Sequence, residues 1–400
     1  MEKMFNKLVL LIFITANAYP NCPTSYYQLT SNQQVTVNSP DYPPYGVRNP
    51  SSCQFTVAAP IFHYLSVLCS KGFGNASSPC DPNDSLALLD GATNFDNGNP
   101  SIRRYCGNAN IALDTTFNSV TIAYSANRFS GYYQCDFRAI PKGGCDCGQR
   151  TISRIVGGER AKLNQYPYMV AIMKYGQSSP LGGGGTLIST SVIITAAHVC
   201  YQKDPNSIYV SVGRDDLRKD VKYDTLYSQN YDVSQIITHP YYNDQTDAND
   251  LAIILTKRFI SFNRGVSVAC LPGPNKSVYA YDGQRLIGIG FGSYDFSSDY
   301  TYYPKAAYVD AYPNDQCAKF YANQATITSA DLCTINNAND TCQGDSGGPM
   351  ILPSYRDFVV AVIKSGNACG TQSPSLNQRI DRSWITSRTP STSYYCYYEN

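Results

Sequence analysis

A serine enclosed by glycines lies in the segment Gly344-Asp345-Ser346-Gly347-Gly348-Pro349. A turn of this composition can point successive backbone N–H groups at one spot, which is the arrangement that stabilises an oxyanion. Serine is a poor nucleophile without a base, so the turn is chemically useful only if a histidine reaches it. Without a base, the same residues would form an ordinary loop.

The chain contains three histidines, and their sequence surroundings differ. His198 closes the apolar run that begins at Ile194, whereas His239 precedes Pro240 in a turn and His63 lies far upstream. A strand end followed by small residues can hold a reactive side chain in a fixed position. His198 is therefore the candidate base.

A histidine base needs a buried acid that holds its tautomer. Asp250 stands directly before the apolar strand Leu251-Ala252-Ile253-Ile254-Leu255, so it is the candidate acid. Asp216 and Asp247 lie in polar runs, and we expect them to face water.

Strands must position these residues, because the chain is built of short alternating runs. From Tyr19 to about Ile140 such runs are separated by Pro, Gly and Asn clusters, as in an antiparallel sandwich. The segment 141–154 lacks periodicity and is predicted to be a linker. A second strand-rich region starts at Ile155, and its helical signal lies near residues 382–386.

Length and composition narrow the functional classes. The 400 residues predict two to three domains. The composition argues against the long-helix and disordered classes, because 43% of the residues are hydrophobic and 15% are charged, with 29 Gly, 23 Pro and 34 Tyr. Lys+Arg 31 against Asp+Glu 30 leaves a net charge of +1. We therefore expect no nucleic-acid partner.

The first residues are typical of a secretory signal. Lys3 and Lys7 precede the apolar run 8–14, and Ala16-Asn17-Ala18 supplies a cleavage site before Tyr19. A membrane anchor is the alternative, but seven apolar residues cannot span a bilayer that needs about 20. We expect a secreted protein without a membrane association.

Secretion exposes the 15 cysteines to an oxidising compartment, where disulfides are the rule and an odd number leaves at least one cysteine over. Three glycan acceptor triplets agree with this route. They begin at Asn75, Asn83 and Asn275.

Four segments together resemble the trypsin/chymotrypsin family: Arg154-Ile155-Val156-Gly157-Gly158, Thr195-Ala196-Ala197-His198, Asn249-Asp250-Leu251-Ala252, and the glycine-enclosed serine turn at 344–349. The resemblance implies two packed six-stranded β-barrels with the site between them. It implies His198 as general base, Asp250 as its orienting acid, Ser346 as nucleophile, and the N–H groups of Gly344 and Ser346 as oxyanion hole.

The same resemblance assigns a pocket. Asp340, six residues before Ser346, would lie at its base and attract Arg or Lys of a protein substrate, with Gly366 and Ser375 in the walls. The alternative is a surface aspartate, since Asn339-Asp340-Thr341 also forms a glycan acceptor.

The resemblance also implies activation by a protease that cuts between Arg154 and Ile155. The new ammonium group of Ile155 would then pair with Asp345 and order the oxyanion hole. The chain would therefore be made as a zymogen.

The first region resembles a CUB domain in Cys22, the turn Ser39-Pro40-Asp41-Tyr42-Pro43, Cys53-Gln54-Phe55, Cys80 with Asp84-Ser85-Leu86, and Tyr105-Cys106-Gly107. CUB domains are β-sandwiches that usually bind proteins, so a protein partner is expected. Some CUB domains hold Ca²⁺, but Ser125-Ala126 stands where those members have Ser-Asp. We expect no metal and no cofactor.

These inferences give an all-β chain in which a CUB sandwich precedes a trypsin-like double barrel with a short C-terminal helix. The expected segments are a signal peptide at 1–18, a CUB domain at 19–140, a linker with the activation site at 141–154, a peptidase domain at 155–390 and a tail at 391–400.

The family resemblances also imply a disulfide framework. The register of the two families pairs Cys22 with Cys53, Cys80 with Cys106, Cys147 with Cys270, Cys317 with Cys333 and Cys342 with Cys369. The remaining cysteines suggest Cys69 with Cys135 and Cys145 with Cys396.

Cys200 is left over from this framework. The half-cystine that the family usually has directly after the base is Val199 here, and its usual partner position holds Gly183. We therefore interpret Cys200 as a buried, inert thiol.

One further departure affects the site. Counting back from Cys369 places Lys364 where the family has a serine whose hydroxyl supports the catalytic aspartate. Its ammonium could pair with Asp250 and draw it from His198. Alternatively, a local slip gives that place to Ser365 and turns Lys364 to solvent.

Two functions follow from these residues. The first is a secreted, trypsin-like serine endopeptidase that cleaves after Arg or Lys. The alternative, motivated by Lys364, is a catalytically silent protease homologue that binds proteins through its CUB region.

Overall fold

The computed structural model describes residues 25–39, 51–73, 79–91, 99, 101–108, 110–126, 131–142, 146–150, 159–176, 181–273, 281–293, 301–322, 324–336, 344–366, 373–390 and 395. Strands dominate this part of the chain, and the predicted all-β fold is confirmed. The strands form one pair of facing sheets near the N-terminus and two closed six-stranded rings after it.

Two sheets share a single core in the N-terminal region. A five-stranded sheet has the order β1-β3-β8-β5-β6, and a four-stranded sheet has the order β2-β9-β4-β7. The strands are β1 Tyr26–Gln28, β2 Gln34–Asn38, β3 Ser51–Ala58, β4 His63–Phe73, β5 Asp84–Asp90, β6 Arg103–Tyr105, β7 Ile111–Asp114, β8 Ser119–Ala126 and β9 Gly131–Pro141.

Alternation along these strands produces that core. Phe55 and Ile122 from the first sheet and Leu65 and Phe137 from the second are all nearly without exposure and belong to one cluster. Every second residue of β9 is buried, as period-two strands with one buried face require. The apolar residues of both sheets therefore meet between them, as in a sandwich.

The first barrel closes in the order β11-β12-β13-β16-β15-β14, with β14 paired back to β11. Its apolar strands fill the interior without strict alternation, since their residues pack on both faces. The strands are β10 Glu159–Arg160, which joins the second barrel, and β11 Met169–Lys174, β12 Leu181–Ser189, β13 Val192–Thr195, β14 Ile208–Val212, β15 Gln229–Thr238 and β16 Ala252–Thr256.

The second barrel closes through the additional pairing of β18 with β19. The ring runs β18-β17-β20-β21-β22-β19, and β10 extends it at β18. The strands are β17 Arg285–Gly290, β18 Lys305–Tyr312, β19 Asp331–Ile335, β20 Pro349–Pro353, β21 Asp357–Gly366 and β22 Ser375–Arg379.

The helices in the described residues are short: α1 Ala197–Cys200, α2 Val221–Asp224, α3 Asn314–Phe320, α4 Arg382–Arg388 and a 3-10 helix at Pro205–Ser207. The predicted C-terminal helix is α4, capped by the Asp381 side chain, which accepts from the N–H of Trp384 at 2.9 Å. The helix α3 was not predicted from the sequence. None of these helices has the length and apolar character needed to cross a bilayer.

The sandwich contacts the first barrel at the segment that follows β16. Asn118 donates from Nδ2 to the carbonyls of Ala59 (3.1 Å) and Ile260 (3.2 Å) and accepts from the N–H of Phe262 at 2.7 Å. Beside it, the hydroxyl of Tyr26 donates to the Phe259 carbonyl at 2.9 Å. Asn118 is almost completely buried, so its amide satisfies backbone groups on both sides of the contact.

Replacing Asn118 with Ala should destabilise the intact chain. Its removal leaves buried backbone groups unsatisfied, at about 1–3 kcal/mol for each group, so we expect a loss of roughly 2–4 kcal/mol and a lower unfolding temperature in calorimetry. Asn38→Ala is the control, because Asn38 is exposed on β2. Equal unfolding temperatures for the two variants would contradict a stabilising role for this contact.

Candidate active site

The first barrel brings His198 and Asp250 together. His198 lies on α1 just after β13, and Asp250 stands just before β16. These strands are antiparallel neighbours, with Thr195 opposite Ala252. The end of one strand and the start of the other therefore lie at the same edge of the barrel.

Two hydrogen bonds connect the pair. The His198 ring nitrogen Nδ1 lies 2.6 Å from Asp250 Oδ2, and the backbone N–H of His198 donates to Oδ1 at 2.8 Å. The Asp250 carboxylate is fully buried, whereas the imidazole keeps 31% of its surface exposed. An Nδ1–H bound to this acid leaves Nε2 free to accept a proton.

The pKa of His198 reflects two opposing effects. Burial disfavours the imidazolium and lowers the pKa. The hydrogen bond and negative charge of Asp250, with the charge of Asp247, outweigh burial, while Lys364 acts with it. The net pKa of His198 is raised above its ordinary value.

The second barrel presents Ser346 at the junction with the first. The N–H of Gly184 in β12 donates to the Ser346 carbonyl at 2.8 Å. At Gly183 an added Cβ would lie 2.8 Å from that carbonyl and 2.9 Å from a methyl group of Val199. Val199 follows His198 directly, so Gly183 lies between the serine turn and the residue next to His198.

Gly347 shows why the serine turn needs glycine. Its φ of +80° is strained for other residues, and an added Cβ would lie 2.2 Å from the Thr195 hydroxyl. Within the described residues, the N–H groups of Gly344 and Ser346 donate to no protein group. Both donors are therefore available to an oxyanion.

Asp345 is buried beneath this turn, and its Oδ1 accepts from the N–H of Gly292 at 2.7 Å. Its predicted partner Ile155 and the cleavage residue Arg154 lie outside the described residues. The carboxylate nevertheless occupies an inner position of the second barrel, because an added Cβ at Gly290 would lie 2.0 Å from Oδ1.

The predicted pocket is described in part. Asp340 lies outside the described residues, whereas Gly366 at the end of β21 pairs with the buried Ser375 in β22. Two residues further, the buried amide of Asn377 donates to the Leu332 carbonyl and the Thr334 hydroxyl at 3.0 Å each. No set of three or more His, Cys, Asp or Glu side chains in the described ranges is placed to hold a metal ion.

Lys364 follows neither of the two courses that the sequence suggested. The ladder between β21 and β22 is irregular between Ile363 and Ser365, so Lys364 lies at a bulge. Its ammonium is buried and lies 3.3 Å from Asp331 Oδ1. Within the described structure the ion-pair partner of Lys364 is therefore Asp331 and not Asp250, and the side chain is buried and not turned to solvent.

One residue that the sequence did not single out supports Asp250, and a second lies beside it. Gln378 accepts from the backbone N–H of Asp250 through Oε1 at 2.9 Å and donates through Nε2 to the Ala330 carbonyl at 3.0 Å. Asp331 stands opposite Gln378 in the ladder between β19 and β22. Neither lies in a motif, so only the fold reveals them.

The other histidines lie apart from this pair. His63 in the sandwich contacts the Ile61 carbonyl and the Ser31 hydroxyl, and His239 packs against Trp384 with its Nε2 3.7 Å from Asp381.

The expectation that Asp216 faces water is wrong. Its carboxylate is buried and pairs with Arg218 at 2.8 Å. This cation holds the pKa of Asp216 below its usual range. The polar surroundings of Asp216 in the sequence suggested exposure. They also contain Arg218, whose positive charge compensates the buried carboxylate.

Cys200 is buried and carries a free thiol, as expected. Burial raises its pKa to about 12, so it is a poor thiolate source. Four disulfides join described residues: Cys69–Cys135, Cys80–Cys106, Cys147–Cys270 and Cys317–Cys333.

Several predicted positions lie outside the described residues. Cys53 is disulfide-bonded, but Cys22, its predicted partner, is among those positions. The others are Cys145, Cys342, Cys369, Cys396, Asn75 and Asn275. Asn83 is described and exposed.

Comparisons with known proteins agree with this geometry. The family model described as Trypsin matches residues 155–385, more than half of the chain. Venom serine protease 34 of Apis mellifera is 28% identical over 408 aligned positions, which cover 97% of this chain and 94% of that protein. A venom serine protease of Polistes dominula is 31% identical over 59% of this chain and 84% of its own length.

A vertebrate protein is also similar. Urokinase-type plasminogen activator of Gallus gallus is 29% identical over 70% of this chain and 68% of its own length. The family model begins at Ile155, and no CUB match accompanies it.

We expect the His198 imidazole to titrate above pH 6.5, because Asp250 stabilises its protonated form. Asp250→Asn removes that stabilisation while burial remains, so the pKa of His198 should fall below 6.5. An NMR titration of the three histidines measures this shift. His239 is the internal control: burial lowers its pKa, and the substitution should leave it unchanged. An unshifted His198 would show that Asp250 does not control its charge.

Proposed function

The chain belongs to the trypsin family of serine proteases, and on that premise we propose that it is a secreted endopeptidase, made as a zymogen, that cleaves proteins after Arg or Lys. Ser346 is the nucleophile, His198 the general base and Asp250 the orienting acid in this proposal. The N–H groups of Gly344 and Ser346 form the oxyanion hole.

The hydrogen-bonded pair of His198 and the buried Asp250 carries the proposal. Asp250 binds Nδ1–H, so Nε2 is the acceptor for the Ser346 hydroxyl proton as Oγ attacks the scissile carbonyl carbon. The oxyanion that forms accepts hydrogen bonds from the N–H groups of Gly344 and Ser346. His198 then gives its proton to the leaving amine as the C–N bond breaks. In the second half of the reaction, His198 takes a proton from water and the water oxygen attacks the carbonyl carbon of the acyl ester. The bond to Ser346 Oγ breaks as His198 returns the proton to Oγ.

The substrate would be an extended peptide beside β21. The backbone edge of the cleft is formed by the Lys364 carbonyl and by Gly366. The Lys364 carbonyl accepts from the Ser346 hydroxyl at 3.5 Å. Asp340 supplies the charge at the base of the pocket, and Ser375 forms part of its wall. A carboxylate shielded from water selects a guanidinium or an ammonium group strongly, since an unmatched buried charge is costly.

Activation by cleavage after Arg154 fits the buried place of Asp345. A buried carboxylate is stabilised by positive charge, and the new ammonium of Ile155 would add one. The activating protease would itself cut after arginine. Linkage of Cys147 to Cys270 would keep the N-terminal region attached after the cut.

We assign the N-terminal region at 19–140 to a CUB domain that binds a protein partner, with the signal peptide at 1–18, the linker at 141–154, the peptidase domain at 155–390 and the tail at 391–400. Secretion is supported by the two relatives named as venom proteases and by the disulfides. Asn75, Asn83 and Asn275 would carry glycans on that route.

The silent-homologue alternative lacks support. Its motive was an ammonium at Asp250, and Lys364 binds Asp331 instead. His198, Asp250 and Ser346 are all present, so we retain the enzyme as the proposal.

Cleavage at Arg154 should switch on the reactivity of Ser346. After treatment with immobilised trypsin, wild type should react with a fluorophosphonate probe. Arg154→Gln should react about 10²-fold more slowly, because no Ile155 ammonium pairs with Asp345 to hold its oxyanion hole in place. Ser346→Ala shows whether the probe is on that serine, and Arg150→Gln controls for the other linker arginine. Equal labelling of Arg154→Gln and wild type would refute the zymogen proposal.

Replacing Asp340 with Ser should abolish the preference for basic residues. We expect kcat/KM on an arginyl peptide to fall about 10³-fold or more, with much smaller change on a leucyl peptide. Asp310→Ser is the control, because Asp310 is an exposed carboxylate of the second barrel. Retained arginyl preference in Asp340→Ser would place the specificity charge elsewhere.

A further inference from the structure

A buried ion pair lies behind the candidate active site. Lys364 in β21 and Asp331 in β19 are 6% and 5% exposed, and Nζ lies 3.3 Å from Oδ1. Charges withdrawn from water in this way need compensation. The pair therefore has a cost that a neutral pair of side chains would avoid, which raises the question of what it does.

The pair lies next to the groups that would perform catalysis. The carbonyl of Lys364 accepts from the Ser346 hydroxyl. Asp331 is paired in the ladder with Gln378, whose side chain accepts from the backbone N–H of Asp250. The Lys364 backbone is thus one hydrogen bond from Ser346, and the strand beside Asp331 contacts Asp250. The positive charge of Lys364 also acts to lower the pKa of His198.

The carboxylates of Asp331 and Asp250 differ in which groups occupy their oxygens. Asp331 Oδ2 accepts from the N–H and the hydroxyl of Thr328 at 2.9 Å each, which fixes its orientation and aims Oδ1 at Lys364. Asp250 accepts two hydrogen bonds from His198, so each of its oxygens keeps acceptor capacity. An ammonium released from Asp331 would find that capacity.

We propose that Asp331 is a positioning residue: it holds the Lys364 ammonium away from Asp250 and so keeps Asp250 for His198. This inference rests on the proposed function, because the orientation of His198 matters for catalysis only if that base acts on Ser346. The charged groups that act on His198 are Asp250 and Asp247 from the turn before β16 and Lys364 from β21.

Asp331→Asn is the decisive variant. Without its carboxylate, the ammonium turns to Asp250, so the pKa of His198 should fall by about one unit or more in an NMR titration. Removal of the acid in such a triad costs about 10⁴ in turnover, and a diverted acid costs less, so labelling of Ser346 by a fluorophosphonate should slow about 10²-fold.

Removing the lysine as well should rescue the site. In Lys364→Met/Asp331→Asn no ammonium competes for Asp250, so labelling should return to within a few-fold of wild type and the pKa of His198 should not fall below the wild-type value. A purely structural role for the pair predicts no rescue. Asp357→Asn is the matched control. Asp357 is a buried carboxylate in β21, the strand of Lys364, and it pairs with Arg150.

The outcomes separate this inference from the proposed function. An unchanged His198 pKa in Asp331→Asn overturns it, as does a double variant as slow as the single one. If Asp331→Asn does not fold, a double variant that folds and reacts with the probe supports the inference. If neither variant folds, the inference is overturned. If wild-type Ser346 is never labelled, the proposed function fails, while the titration of His198 still decides the role of Asp331.

Discussion

The carboxylate of Asp250 is removed from water, and the hydrogen bonds that it accepts within the described structure come from His198. A buried charge is stable only when its partners are held in place. The first barrel meets this requirement because β13 and β16 are neighbours whose adjacent ends carry the two residues. Gln378 from the second barrel adds support at the backbone of Asp250. The acid is therefore fixed from both barrels, and the orientation of the imidazole follows from it.

The candidate nucleophile comes from the second barrel, so the two halves of the candidate site come together only where the barrels pack. That contact is close: the backbone of β12 at Gly183 and Gly184 lies directly on Ser346. Side chains at these positions would separate the two halves of the site. The second barrel also contains Lys364 and Asp331, whose opposite charges compensate one another. A fold that buries several charges near one site must sort them into the right pairs.

The sandwich is attached to the peptidase region both through the linker and through direct contacts. Cys147 is bonded to Cys270, and Asn118 satisfies backbone groups of the segment that follows β16. Neighbouring contacts from Tyr26 extend this region. Buried polar contacts fix the relative position of two surfaces more narrowly than apolar contacts do, because each donor needs its own acceptor. The two parts of the chain therefore form a continuous structure in the described residues.

The sequence alone determined the β class, the order of the two regions and the candidate residues His198, Asp250 and Ser346, because strand periodicity and short motifs are local properties. The buried thiol of Cys200 was also foreseen. Three features were not: the burial of Asp216, the pairing of Lys364 with Asp331, and the support of Asp250 by Gln378. Each depends on which side chain a neighbouring strand or loop brings within hydrogen-bond distance. A residue type fixes the charge that must be compensated, but only the tertiary structure decides which partner compensates it, since that partner can stand anywhere in the chain.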